Sequence, residues 1–251
     1  MTDESRSRPA SNATEARFEP THWTMILQAD DQQQPGAREA LEQLCKIYWP
    51  PLYAFLRKQG RSPDDAKDLT QGFFVHILST DGLRNIHPTK GKFRSFLLAC
   101  LNNYVQNERD KERAEKRGGG QTLLIIDDSE AETGYGIEPE DQTDPAKLYD
   151  RRWASTLLSE VLRLLKQKCN QERKSELFDE LCPFLTGDAE RGVTYADVAG
   201  RLRMSEGAVR VAASRLRSEF RELLRSEVGR TVSSQEEVDE ELRYLVSISQ
   251  A

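Results

Sequence analysis

The sequence predicts an all-α fold with two helical lobes joined by a flexible acidic linker, the second lobe containing a helix-turn-helix. Apolar residues recur at helical spacing on both sides of residues 118–145, and several of these stretches begin with a capping residue. Between residues 118 and 145 no helical period holds, and Gly, Asp, Glu and Pro dominate. From Thr194 onwards the pattern is a short capped helix, a tight turn and a second capped helix.

Composition limits what the chain can be. Its 251 residues suit one large domain or two small ones, and the charged fraction of 31% is typical of a water-soluble protein. No apolar run approaches the length of a membrane span, and residues 1–20 are polar, which predicts a disordered N-terminus without a signal peptide. We expect a cytoplasmic protein that does not contact membranes and is monomeric when free.

The first lobe contains two prominent helical patterns. Ser62 followed by Pro63, Asp64 and Asp65 is a strong helix start. A second long helix is expected from about residue 91 to residue 117, with an inner face that comprises Phe93, Leu97, Cys100 and Tyr104. Upstream, Pro50 and Pro51 are expected to kink or break the helix in which they lie.

Charge is unevenly distributed along this acidic chain, whose formal net charge is -6. Residues 90–117 and 191–230 each carry a net charge of +4, whereas residues 121–150 carry -8 and residues 231–251 carry -4. The whole-chain charge therefore hides two local basic segments of the kind that bind nucleic acid.

The second basic segment contains an amphipathic helix. Its inward positions are Val209, Ala213, Leu216, Phe220 and Leu223, and a basic face carries Arg210, Ser214, Arg217 and Arg221. Ser205 is the expected N-cap, and Glu206 lies in the first turn, where the helix dipole favours a carboxylate. Such a helix can enter the DNA major groove, with arginine binding guanine edges or phosphate. Arg203 occupies the turn position where glycine is common.

Nothing in the sequence indicates catalysis. The four cysteines are scattered without a C-x-x-C spacing, and the three histidines lie far from them, so neither zinc nor disulfides are expected. The triple glycine at residues 118–120 follows no strand and precedes no Lys-Ser/Thr pair, so it is not a phosphate-binding loop. We therefore expect no catalytic residues, no metal and no cofactor.

Three segments stand out in this order along the chain: DDAKDLTQGFFVHIL, GKFRSFLLACLNNYVQNERDKERAEKR and TYADVAGRLRMSEGAVRVAASRLRSEFRELL. They resemble three segments of bacterial RNA polymerase sigma factors of the extracytoplasmic-function type. In those proteins the first segment binds core polymerase, the second melts and reads the -10 element, and the third is the helix-turn-helix that reads the -35 element. The phrases DLTQGFF, GKFRSFLLA and EKRGGG resemble a subgroup found in planctomycete-like bacteria.

The resemblance implies a division of the chain. Residues 21–117 would form a sigma region 2-like domain, residues 118–145 the acidic linker, residues 146–230 a sigma region 4-like domain and residues 231–251 a C-terminal acidic helix.

It also implies three sets of binding residues. Core polymerase would be contacted by Asp65, Asp68, Gln71 and Phe74. The -10 element would be contacted by Asn102, Asn103, Gln106, Asn107, Arg109 and Arg113. The -35 element would be contacted by Ser205, Glu206, Arg210, Ser214, Arg215, Arg217 and Arg221.

The chain departs from the resembled pattern at two positions on the polymerase-binding helix. Lys67 and Gly72 stand where family members usually or often carry an acidic residue, which weakens the expected acidic surface. Phosphate on Thr70 would restore negative charge there, but we expect an ordinary helix threonine. The expected partners are core RNA polymerase and promoter DNA, and an anti-sigma protein or a regulatory kinase is a further candidate.

Two other readings stay open at the level of sequence. A conventional helix-turn-helix regulator would use its N-terminal lobe as a sensing or interaction module and would usually bind palindromic half-sites as a dimer. An acid-dependent nuclease built from Asp64, Asp65 and Asp68 is a more distant alternative, because these three carboxylates share one helix start.

Overall fold

The computed structural model describes residues 37–79, 92–115, 144–187, 193–232 and 234–249. Every regular element in these ranges is a helix, which confirms the all-α prediction for this part of the chain. The predicted disordered N-terminus and nearly all of the predicted acidic linker lie outside the described residues. None of the described helices combines the length and apolar character that a membrane crossing requires.

The helices follow one another in the order α1 to α9. Their bounds are Ala37–Lys58 (α1), Pro63–Ser79 (α2), Phe93–Glu115 (α3), Pro145–Gln171 (α4), Ser175–Leu181 (α5), Pro183–Thr186 (α6), Tyr195–Leu202 (α7), Glu206–Gly229 (α8) and Gln235–Ser249 (α9).

Helix α1 continues through both of its prolines. Of the two outcomes expected for Pro50 and Pro51, a kink or a break, the break does not occur, since the helix extends from Ala37 to Lys58. Each proline removes a helical N–H donor, which is costly in a helix interior. The compensation is burial, because Leu52, Tyr53 and Leu56 in the following turns are almost completely enclosed.

Two hydrophobic clusters organise the described helices. The first core combines residues of α1, α2 and α3 with the start of α4, the end of α8 and helix α9. Its fully enclosed large side chains include Tyr48, Phe73, Phe93 and Trp153. The first core therefore draws on residues from both sides of the predicted linker.

The second core is smaller and lies entirely in the C-terminal part of the chain. It combines the end of α4 with α5, α7 and the first half of α8, and its buried residues are Leu165, Cys169, Phe178, Leu181, Val198, Ala199, Val209, Ala213 and Leu216. The start of α4 lies in the first core and its end lies in the second core. The start of α8 lies in the second core and its end lies in the first core. These two long helices are in contact and antiparallel, so together they connect the two cores.

A buried arginine joins the first core to the C-terminal helix. Arg94, in the first turn of α3, is only 7% exposed and forms ion pairs with Asp150 of α4 and Glu241 of α9. The distance from Arg94 Nε to Glu241 Oε1 is 2.6 Å. The guanidinium lies over the rings of Tyr244, at 4.4 Å from the ring centroid, and Trp153, at 5.2 Å. Burial alone would lower the pKa of Arg94, but the hydrogen bond and charge of Glu241 raise it above its ordinary value.

Further contacts surround this arginine. Lys92 Nζ lies 2.6 Å from the second carboxylate oxygen of Glu241, a close ion pair without hydrogen-bond geometry. The Tyr149 hydroxyl donates to the backbone carbonyl of Arg94 at 2.9 Å, and the Phe93 amide donates to the carbonyl of Thr231 at 3.2 Å. The first turn of α3 is thus held simultaneously by α4, α9 and the segment that precedes α9.

Removing one member of this network should be costly. We expect Glu241→Ala to lower the free energy of unfolding by about 3 kcal/mol, because a buried charge loses one partner. Urea unfolding followed by circular dichroism measures the change. The matched control is Glu240→Ala, which removes the neighbouring exposed carboxylate and should change stability by less than about 0.5 kcal/mol. Equal effects of the two substitutions would contradict the stabilising role of the network.

Candidate nucleic-acid interface

Helices α7 and α8 are joined by a three-residue turn that side-chain caps define. Thr194 and Asp197 form a reciprocal capping box at the start of α7. In the turn, Arg203 has a positive φ of 54°, and the amide of Met204 donates back to the carbonyl of Ala199 at 3.0 Å. Ser205 then accepts a hydrogen bond from the amide of Ala208 at 3.2 Å, which makes it the N-cap of α8 as predicted.

The inward face of α8 follows the predicted periodicity. Val209, Ala213 and Leu216 are buried in the second core, and Phe220 and Leu223 pack partly against it. This pattern leaves a continuous outer surface on the helix. Most of the residues predicted to contact the -35 element lie exposed on it, namely Ser205, Glu206, Arg210, Ser214, Arg215 and Arg221.

Tyr195 of α7 orders part of this surface. Arg217 is half-buried and donates a hydrogen bond to the Tyr195 hydroxyl, and the Arg210 guanidinium lies 5.4 Å from the centroid of the Tyr195 ring. Arg210 also donates to Glu206 at 2.5 Å, and the Tyr195 ring stacks on Phe184 at 4.9 Å. Helical periodicity does not show which arginines the half-buried ring of Tyr195 can reach.

Two of the predicted DNA-binding residues have structural roles within the protein itself. Ser205 caps α8, and Glu206 pairs with Arg210 at (i, i+4) spacing. An exposed pair of this kind contributes only about 0.3–0.5 kcal/mol, so DNA phosphate can replace Glu206 at little cost. The arrangement therefore holds Arg210 along one edge of the exposed surface while leaving its charge available.

A second polar surface lies on α3. The six residues predicted to contact the -10 element are all exposed, namely Asn102, Asn103, Gln106, Asn107, Arg109 and Arg113. Asn102, Gln106, Arg109 and Arg113 share one face at spacings of three and four residues. The opposite face enters the first core through Phe93, Leu97, Leu101 and Val105. Leu101 and Val105 replace the predicted Cys100 and Tyr104 as fully buried positions, and the latter two are half-buried.

The face of α2 predicted to contact polymerase is only partly available. Asp65 and Asp68 are exposed and Gln71 is half-buried. The prediction for Phe74 is wrong, because its side chain is only 5% exposed and packs in the first core, edge-on to Phe73. Helix α2 contacts both α1 and α3, so its buried arc is wide enough to enclose two consecutive phenylalanines.

The structure does not favour phosphorylation of Thr70. Its side chain is fully buried, and its hydroxyl donates to the carbonyl of Ala66 at 2.7 Å. A kinase could reach this oxygen only if α2 opened. Its burial agrees with the expectation that Thr70 is an ordinary helix threonine.

Gly72 has a packing role. A Cβ at this position would overlap the hydroxyl oxygen of Tyr104, which projects from α3. The side chain of Tyr104 also contacts the rings of Phe73 and His76 at centroid distances of 5.9 Å and 5.3 Å. An acidic residue at position 72 would therefore displace Tyr104. This overlap accounts for the glycine, which otherwise lowers the stability of a helix.

Comparisons with protein-family models, curated proteins and solved structures find no significant match to this chain. Its function is therefore inferred from the side chains that the described helices present.

The contact between Gly72 and Tyr104 predicts a coupled pair of substitutions. On helix propensity alone, Gly72→Ala would stabilise α2 by about 1 kcal/mol. We expect it instead to destabilise the protein, because the new methyl group overlaps the Tyr104 hydroxyl. Tyr104→Phe removes that oxygen, so Gly72→Ala should become neutral or stabilising in the Tyr104→Phe background. Chemical denaturation of the four proteins of this double-mutant cycle measures the coupling, and additive effects would contradict the proposed overlap.

The left-handed conformation of Arg203 predicts a stabilising substitution. Arg203→Gly should raise the free energy of unfolding by about 1 kcal/mol, since glycine adopts a positive φ without steric cost. The matched control is Arg203→Ala, which removes the same side chain but keeps the strain. Thermal unfolding should show a gain for glycine alone, and a gain of equal size with alanine would attribute the effect to the side chain instead.

Proposed function

We propose that this protein is a sigma factor, which binds core RNA polymerase and directs promoter-specific initiation by contacting the -10 and -35 elements. The observation that carries the proposal is the presence of two separate exposed polar and basic surfaces on one chain, on α3 and on α8. Two different surfaces suit two different DNA elements better than they suit one repeated half-site.

Helix α8 would contact duplex DNA at the -35 element. Its exposed N-terminal turns follow a tight turn and a side-chain cap, and small residues there allow close approach to the groove. Arg210, Arg215 and Arg221 supply charges that phosphate oxygens attract. The preceding helix, α7, would then lie across the phosphate backbone.

Helix α3 would contact the -10 element. Asn102, Asn103 and Gln106 present amides, which can both donate and accept hydrogen bonds and can therefore pair with the edges of unstacked bases. Arg109 and Arg113 lie further along the same face, where they can follow the phosphate chain. The arrangement suits a strand whose bases have left the duplex.

Helix α2 would contact core polymerase through its first two turns. Asp65 and Asp68 are exposed there and could meet basic groups on the enzyme. Phe74 is excluded from this surface by its burial.

A helix-turn-helix regulator remains the alternative reading of α7 and α8. It would explain one basic helix and would leave the exposed amide and arginine face of α3 without a role. No feature of the described residues favours that alternative over the sigma factor.

The decisive experiment mixes the full chain with bacterial core RNA polymerase and measures complex formation and promoter-dependent initiation. Asp68→Arg should abolish the complex while leaving the circular dichroism spectrum unchanged. The matched control is Glu240→Arg, which makes the same charge reversal at an exposed site on α9 and should bind like the parent chain. Absence of any complex with the parent chain would refute the proposed function, and a stable complex with Asp68→Arg would remove α2 from the binding surface.

A further inference from the structure

Over residues 206–218, the outermost line of α8 is composed of small or apolar residues. Gly207, Val211, Ser214 and Ser218 are spaced by four, three and four residues, so they form one exposed ridge. At 100° per residue this ridge lies opposite Val209, Ala213 and Leu216, the three residues that anchor the helix in the second core. The ridge is therefore the part of α8 that projects furthest from the protein.

Arginines border this ridge on both sides. Arg210 and Arg221 lie on one side and Arg215 on the other, about 50–100° around the helix from the ridge. Arg210 is further held at the border by Glu206 and Tyr195. If the ridge faces the floor of the major groove, these arginines face its walls, where the phosphates are. Base contacts then fall mainly to the ridge itself.

Val211 is the only large apolar side chain on the ridge. It is 51% exposed, and a Cβ built at the neighbouring Gly207 meets no atom of the described residues within 4 Å. Valine is a poorer helix former than alanine, and an exposed valine gains little from burial. Neither helix propensity nor packing therefore accounts for valine at this position.

We propose that Val211 contacts the 5-methyl group of a thymine in the major groove and so selects a T·A pair in the duplex element bound by α8. The methyl group is the one apolar group that a base pair presents in that groove, and apolar side chains read it by contact. The neighbouring arginines hold the phosphates on both walls. This inference rests on the proposed function, because it requires α8 to lie in duplex DNA.

The test selects duplex DNA from a random pool with the full chain, both alone and in complex with core RNA polymerase. Each thymine of the enriched site is then replaced by uracil, which lacks only the methyl group. At one position, replacement of thymine by uracil should weaken DNA binding by the parent chain about fourfold, which is the equivalent of one buried methyl group. Val211→Ala should bind the thymine site about fourfold more weakly and should not distinguish thymine from uracil at that position. Its melting temperature should equal or exceed that of the parent chain.

The matched control is Val246→Ala, which trims an equally exposed valine on α9 and should retain the parent preference for thymine. An enriched site at which no thymine is sensitive to uracil, or at which the sensitivity persists in Val211→Ala, would overturn the inference about Val211 and leave the proposed function standing. Failure to enrich any site under either condition would overturn both.

Discussion

The burial of Arg94 is the constraint on which the described fold depends. A guanidinium that leaves water must be paired, and here the partners come from α4 and α9, far along the chain. Two aromatic rings lie against the cation, and the Tyr244 hydroxyl donates to Asp150. Burial, with the hydrogen bond to Asp150 and its charge, raises the pKa of Tyr244 to about 12. Helix α9 therefore completes the same core that α1, α2 and α3 begin.

Sequence periodicity predicted the helices well because amphipathic faces and caps are local properties. It predicted the inward face of α8 and the caps Ser62, Thr194 and Ser205. It failed where a distant element decides the outcome. The resemblance placed Phe74 on the polymerase-contacting side of α2, and only the contacts with α1 and α3 show that the buried arc of this helix includes it.

Charge patterning shows the same limit. The basic segment of residues 90–117 has a net charge of +4, but two of its positive charges, Lys92 and Arg94, face Asp150 and Glu241 inside the protein. The basic surface of α3 is therefore confined to the later turns, where Arg109 and Arg113 are exposed. No count along the sequence could separate these two groups, since the acidic partners lie 56 and 147 residues from Arg94.

The composition of the first core has a consequence for biosynthesis. Leu44 and Leu245 belong to one cluster, so α1 cannot finish burying its apolar face until α9 has been made. At roughly 5–20 residues per second, the wait from α3 to α9 is on the order of 10 seconds. During that time the part of the first core that α9 covers stays open to solvent, and exposed apolar surface of this kind is what chaperones bind.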